Sequence, residues 1–95
     1  MFRISKVFEN ESTHLYRVEG KITDDILADW IKELDSLKSR NGQHVILDLC
    51  QVWYISTGAV EALLNHVTDN FFLLNCGMEV RNIFHAVGLS SRMLE

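Results

Sequence analysis

Two hydroxyls stand side by side where an apolar stretch of the chain gives way to an amphipathic one. They are Ser56 and Thr57, in the run Ile55-Ser56-Thr57-Gly58-Ala59-Val60. A helix that starts there carries unsatisfied N–H groups and a partial positive charge. A hydroxyl at such a place either caps the helix, a role worth ~1 kcal/mol, or accepts a phosphoryl group. A phosphate on Thr57 would be held by the same donors and would add about −1.5 to −2 charges to the surface. Asp48 lies upstream, at the C-terminal end of an apolar stretch. In open α/β sheets that edge binds ligands, although a carboxylate there also serves as a loop cap. Trp53 and Tyr54 follow. They are expected to pack under the coming helix, with a protein-docking patch as the alternative.

Other chemistry is sparse. His14, His44, His66 and His85 are scattered, and no pair has the HxxxH or HExxH spacing of a metal site. Solvated or capping roles are expected for all four. Cys50 and Cys76 both fall at the ends of predicted parallel strands, so a redox or metal pair is conceivable. Two thiols without a third ligand serve as well as small core residues. Neither GxGxxG, GxxxxGK[ST] nor GxSxG occurs. An enzyme or thiol-redox protein built on these cysteines and a histidine would lack any nameable activated nucleophile. No metal and no cofactor is expected.

The elements that must position these residues follow from the apolar pattern. The chain has 95 residues, 47% of them hydrophobic, enough for one core and one domain over residues 1–95. No run of 18 apolar residues could span a membrane, and Met1 to Lys6 lacks the pattern of a signal peptide. The two cysteines make no disulfide framework, so a cytoplasmic setting is expected. A net charge of −4 argues against nucleic acid and anionic membrane surfaces. A protein or a small ligand is left as the partner.

Phe2 and Ile4, with Val7 or Phe8, alternate as in a half-exposed strand. After the polar turn 9–13, residues 14–20 alternate again, Leu15 and Arg17 facing away from Tyr16 and Val18, and the two strands form an antiparallel hairpin. Thr23 then precedes Asp24 and Asp25 as N-cap and acidic first turn. Ile26, Leu27, Trp30, Ile31, Leu34 and Leu37 recur at helical spacing, and Asn41-Gly42 stops that helix. Residues 44–50 are almost continuously apolar, as expected of a central strand covered on both faces. Val60, Leu63, Leu64 and Val67 mark a second helix that fades at residues 68–70, and 71–76 form another apolar strand. Val80, Ile83, Phe84 and Val87 mark a third helix with Gly88 as its C-cap. The order β-β-α-β-α-β-α predicts an α/β fold: a mixed sheet of about four strands, parallel beyond the hairpin by right-handed crossovers.

The pattern as a whole resembles the STAS domain family of the anti-sigma-factor-antagonist type. Leu15 to Thr23 resembles that family's strand ending in a Gly-x-apolar-Asp turn. Val45 to Leu64 resembles its strand, Asp-Ser-Ser-Gly step and helix. Glu79 to Leu89 resembles its last amphipathic helix ending in Gly-Leu. The resemblance covers most of the chain and rests on the order and spacing of these motifs.

It implies a non-enzymatic module that binds a protein. The partner would be an anti-sigma-type kinase, another STAS protein or, as an alternative, the ATPase subunit of an ABC-type transport system to which the chain would be an accessory. The implied contact surface holds Thr23, Asp24, Asp25, Asp48, Trp53, Ser56, Thr57, Gly58, Ala59 and Glu61. In the family the second Ser of Asp-Ser-Ser-Gly is the phosphoacceptor. Aligned without gaps from Asp48, those four positions fall on Ser56, Thr57, Gly58 and Ala59, so the acceptor becomes Gly58, which has no hydroxyl. The family's turn Asp becomes Thr23. This register keeps the helical periodicity and is preferred. A one-residue deletion would instead put Thr57 on the acceptor position. The second helix and its turn are about six residues shorter than usual, and a terminal strand or helix after residue 90 is shortened or absent.

Overall fold

In the computed structural model, which describes residues 2–37, 43–66 and 70–94, the predicted alternation becomes a five-stranded mixed sheet in the order β1-β2-β3-β4-β5. The strands are β1 (Phe2–Glu9), β2 (Thr13–Ile22), β3 (His44–Ile55), β4 (Phe71–Leu74) and β5 (Met93–Leu94). The helices are α1 (Leu27–Ser36), α2 (Thr57–His66) and α3 (Met78–Ala86). β1 pairs antiparallel with β2, and every later neighbour is parallel. The fifth strand exceeds the expected four. It is two residues long, too short to leave a periodic signal in the sequence.

Each parallel connection steps to the next strand in the same direction. Right-handed crossovers that keep stepping one way put every helix on the same face of the sheet. The core agrees: Trp30, Leu34, Ala59, Val60, Leu63, Val80 and Phe84 from the helices join Val18, Val45, Leu47, Phe71 and Leu73 from the strands in one cluster. Phe2 meets Trp30 edge-on at 5.4 Å, and the Trp30 indole N–H donates to the Ala59 carbonyl at 3.0 Å. A second tie between α1 and α2 is His66 Nε2 against Asp35 Oδ1 at 2.6 Å.

Three β-bulges decide which residues look outward. In β1 the register slips between Lys6 and Phe8, so Val7 is extra and Phe8 turns to the outer face opposite Leu15. In β3 it slips twice, once between Asp48 and Gln51 and once between Val52 and Tyr54. Each slip puts two consecutive residues on the exposed side, Cys50 with Gln51 and Trp53 with Tyr54. The strand therefore runs to Ile55, five residues beyond its expected end at Cys50.

Several expectations change. Thr23 is no side-chain N-cap: its hydroxyl donates to the Asp25 carboxylate, and Asp24–Ile26 form a 3-10 turn before α1. The central strand β3 is not covered on both faces as expected, since all three helices lie on one. Strand β4 ends at Leu74, and Asn75 leaves it in the left-handed region at φ 58°. Gly88 does serve as predicted. It takes φ +86° after α3, while Leu89 N–H reaches the Phe84 carbonyl at 2.9 Å and Gly88 N–H the His85 carbonyl at 3.3 Å, closing a Schellman motif. The expected stop at Asn41-Gly42 and the contributions of Val67, Thr68 and Asp69 lie outside the described residues.

Candidate partner-binding site

Parallel neighbours β2 and β3 end at the same edge of the sheet, so the turns that follow them meet. The Ser56 N–H donates to the Ile22 carbonyl at 2.8 Å and fastens one turn to the other. Ser56 is the N-cap of α2. Its Oγ accepts the Ala59 N–H at 3.2 Å and its carbonyl accepts the Val60 N–H at 3.0 Å. With 6% of its surface accessible, its hydroxyl is both enclosed and engaged.

Thr57, the first helical residue, is the reverse. It is exposed, and among the described residues its hydroxyl makes no hydrogen bond. Gly58 is half-buried against the Asp24 side chain. A Cβ at position 58 would lie 2.6 Å from Asp24 Oδ1 and 3.4 Å from Leu27 Cδ2. The Asp24 carboxylate thus stands over the first turn of α2, where a negative charge is favoured by the free N–H groups. Asp25, beside it, is held below the usual carboxylate range by the hydroxyl of Thr23.

The sheet edge therefore brings together Thr23, Asp24, Asp25, Ser56, Thr57, Gly58 and Ala59, with Glu61 exposed one turn along α2. Not all of them present a surface. Ala59 is fully buried and faces α1, and Ser56 is enclosed. Asp48 is also buried, and it lies seven residues back along β3, roughly 20 Å from the helix start at ~3.3 Å per residue. It belongs to a separate polar latch. Its Oδ1 accepts the Cys50 N–H at 3.0 Å and the Asn75 amide at 3.4 Å, and Arg17 Nε stands 3.8 Å from Oδ2. Burial alone would raise this carboxyl, but Cys50, Asn75 and Arg17 together hold it below its usual range. Asp48 in turn raises the pKa of the Cys50 thiol, with burial adding to the effect, so little reactive thiolate forms. Both cysteines are free, Cys50 exposed and Cys76 buried.

Trp53 and Tyr54 do not pack under α2. They are 66% and 48% exposed, because the second bulge in β3 turns both outward. Lys21 sits 5.4 Å from the Trp53 ring centre. Across a shallow groove of about 190 Å³, lined by Val52, Trp53, Gly77, Met78, Glu79 and Val80, Met78 is 79% exposed. The sequence reading missed Met78, Lys21 and the exposure of Tyr54. No local signal carried them, since a bulge is set by the pairing of two distant segments. Among the described residues no cluster of His, Cys, Asp and Glu could hold a metal, and no helix is long and apolar enough to cross a membrane.

No family model and no curated protein matches this sequence. Solved structures do resemble the fold. The anti-sigma factor antagonist SpoIIAA in its unphosphorylated form superposes with a TM-score of 0.73 and 19% identity, over 99% of this chain and 86% of that one. The phosphorylated form of Bacillus SpoIIAA gives 0.69 and 16%, over 99% and 89%. An anti-sigma factor antagonist from Mycobacterium paratuberculosis gives 0.74 and 14%, over 96% and 83%. At such identities the likeness is one of architecture alone, and that architecture is the one the sequence motifs implied: this chain has the mixed α/β fold seen in STAS-type anti-sigma factor antagonists.

Proposed function

We propose that residues 1–95 form a single cytoplasmic, non-enzymatic regulatory module that binds a protein partner through the edge formed by the β2–α1 turn and the start of α2. The contact would be made by Asp24, Asp25, Trp53, Thr57 and Glu61, with Thr23 and Gly58 beneath. The fold shared with anti-sigma factor antagonists supports this reading. The observation that carries it is the packing of Gly58 under the Asp24 carboxylate. In the preferred ungapped register the family's phosphoacceptor position is Gly58, which has no hydroxyl, and the Asp24 carboxylate lies over it. The module therefore engages its partner without the usual phosphorylation step. Three exposed carboxylates, Asp24, Asp25 and Glu61, suit a basic surface on an anti-sigma-type kinase or another switch protein.

The same observation favours a second reading, an accessory subunit that docks on the ATPase of an ABC-type transporter, since that role needs no phosphoryl switch. Of the two hydroxyls at the helix start, only Thr57 is accessible, so it alone is left as a modification site.

Calorimetric titration of the purified chain with the kinase and with the transporter ATPase from its own genome separates the readings. Asp24→Arg and Trp53→Ala should each weaken binding to the true partner by about tenfold or more, the range of a buried anchor or a reversed charge. Full affinity in both variants would mean that this edge is not the contact surface. Intact mass after incubation with ATP and the kinase should stay unchanged, and a stoichiometric phosphate on Thr57 would restore the switch.

A further inference from the structure

We infer that the open edge of β1 pairs with β1 of a second copy, joining two sheets into one across a two-fold axis at Ile4. Among the described residues β2, β3 and β4 are each paired on both sides, so the sheet has its open edges at β1 and β5. β5 is two residues long. β1 holds an unbroken register against β2 from Phe2 to Lys6, before the bulge at Val7. Every second residue of that stretch turns its N–H and C=O to the open side. Two hollows flank the same stretch. On the helical face Phe2, Ile4 and Ile26 meet Asp29, Lys32 and Glu33 around about 390 Å³. The other hollow, about 340 Å³, is lined by Phe2, Arg3, Glu19 and Gly20. Arg3 and Glu19 are a cross-strand pair one residue out of step with the core-facing Ile4 and Val18, so they mark the outer face. An added strand places alternate side chains on the two faces and finds a hollow on each.

Charge and side-chain pattern identify the occupant as this chain. The helical-side hollow has an apolar floor and a charged wall, so it takes a strand whose inner side chains are apolar with a cation beside them. β1 itself carries Phe2, Ile4 and Lys6 on that face. Antiparallel pairing about Ile4 sets Ile4 against its counterpart and Phe2 against Lys6 of the partner subunit, while Arg3 meets Ser5 on the outer face. Phe2 lines the same hollow as Asp29, which brings that carboxylate within reach of the incoming ammonium. Lys6 otherwise bonds Glu9 at 2.9 Å, an exposed contact of little strength that is readily exchanged. Asp29, Lys32 and Glu33 are exposed, and among the described residues none of the three forms an ion pair. A wall of both signs suits a two-fold contact, in which one patch must complement itself. The axis runs α1 antiparallel to its copy, so Lys32 faces carboxylates. A strand of purely acidic or purely basic character would meet a charge of its own sign there. The bulge at Val7 and the shortness of β5 leave no further edge to extend, so assembly stops at the dimer.

Sedimentation velocity of the full chain over a concentration series tests the assignment and should show monomer and dimer in exchange. Asp29→Lys and Lys6→Glu should each weaken dimerisation by about tenfold or more. Combined in one chain, the two should restore it, because the reversed pair attracts again. Both residues are exposed, and rescue by the double variant separates lost pairing from lost folding. Glu79→Lys, on α3 at the opposite side of the sheet, should leave the dimer as it was. In a mixture of isotope-labelled and unlabelled chains, filtered NOEs should join Ile4 to Ile4 and Phe2 to Lys6 between copies. A chain that stays monomeric at every concentration overturns the proposal. So does a dimer whose contacts between copies lie away from β1, or one that the doubly reversed chain does not restore.

Discussion

The two faces of this sheet are built from the same strands by neighbouring residues of nearly the same chemistry, yet their fates differ. Val45, Leu47, Phe71 and Leu73 are at most 4% accessible. Ile46, Phe72 and Leu74, between and beside them, remain half open. Composition does not distinguish the two sets. Connection does: every crossover after β2 steps the same way, so all the helices land on one side. Apolar content therefore marks what a strand is able to bury, and topology decides what it does bury within its own chain.

Truncating one residue of each set gives the largest contrast. Leu47→Ala leaves a cavity in an enclosed core and should cost about 2–5 kcal/mol. Ile46→Ala removes a comparable side chain from a half-open surface and should cost about 1 kcal/mol or less. Urea unfolding of the two variants measures both. Equal losses would mean that the outer face is covered in the free protein, and the contrast drawn here would fail.

Asp48 sharpens the contrast from the other direction, as a charge that the outer register carries but the structure encloses. Replacing it with Asn leaves an amide oxygen that still accepts from Cys50 but removes the charge that strengthens that bond and faces Arg17, at a cost on the order of 1–2 kcal/mol at neutral pH. The native carboxyl titrates below its ordinary value of 3.8. Its contribution is thus fully present above that value and is lost as the pH falls through the lower native one. The gap in stability between the parent and Asp48→Asn should therefore be constant from neutral pH to about pH 5 and narrow below pH 4. A gap that widened on acidification would contradict the latch.

How much of this was legible in the sequence follows from the range over which each signal acts. Helical periodicity found α1, α2 and α3, because Trp30, Leu34, Val60, Leu63, Val80 and Phe84 repeat within one element. Gly88 was legible because the left-handed turn after a helix is a local demand. The exposure of Trp53 and Tyr54 was not, since their direction depends on a bulge against Gly20 and Lys21, some thirty residues away. Likewise β3 read as ending at Cys50, because two bulges break its alternation. At the candidate site the hydroxyls were legible as a pair, while their division of labour was not. Ser56 lies inward and Thr57 outward only because Ile22 holds the Ser56 N–H. Ser56→Ala should accordingly cost ~1 kcal/mol, the usual worth of an N-cap, and Thr57→Ala close to nothing. Thermal unfolding of the two variants checks this, and equal shifts would return both hydroxyls to the same role.

The smallest expected effect carries the most about function. A methyl at position 58 would improve the helix by about 0.5–1 kcal/mol in propensity, but it must displace the Asp24 carboxylate from 2.6 Å. That side chain is short and exposed, so it can swing aside, and Gly58→Ala by itself should be close to neutral. The information lies in the coupling. If Asp24 is held over the α2 terminus by its free N–H groups, Gly58→Ala should become stabilising once Asp24→Ala has removed the obstruction. A double-mutant cycle should then give an interaction of about 0.5 kcal/mol or more. The term should shrink in high salt, because a charge at an exposed helix end is screened. Strict additivity would mean that Asp24 merely lies near the helix. The charge over position 58 would then drop out of the proposed contact, leaving Asp25, Trp53, Thr57 and Glu61 to recognise the partner.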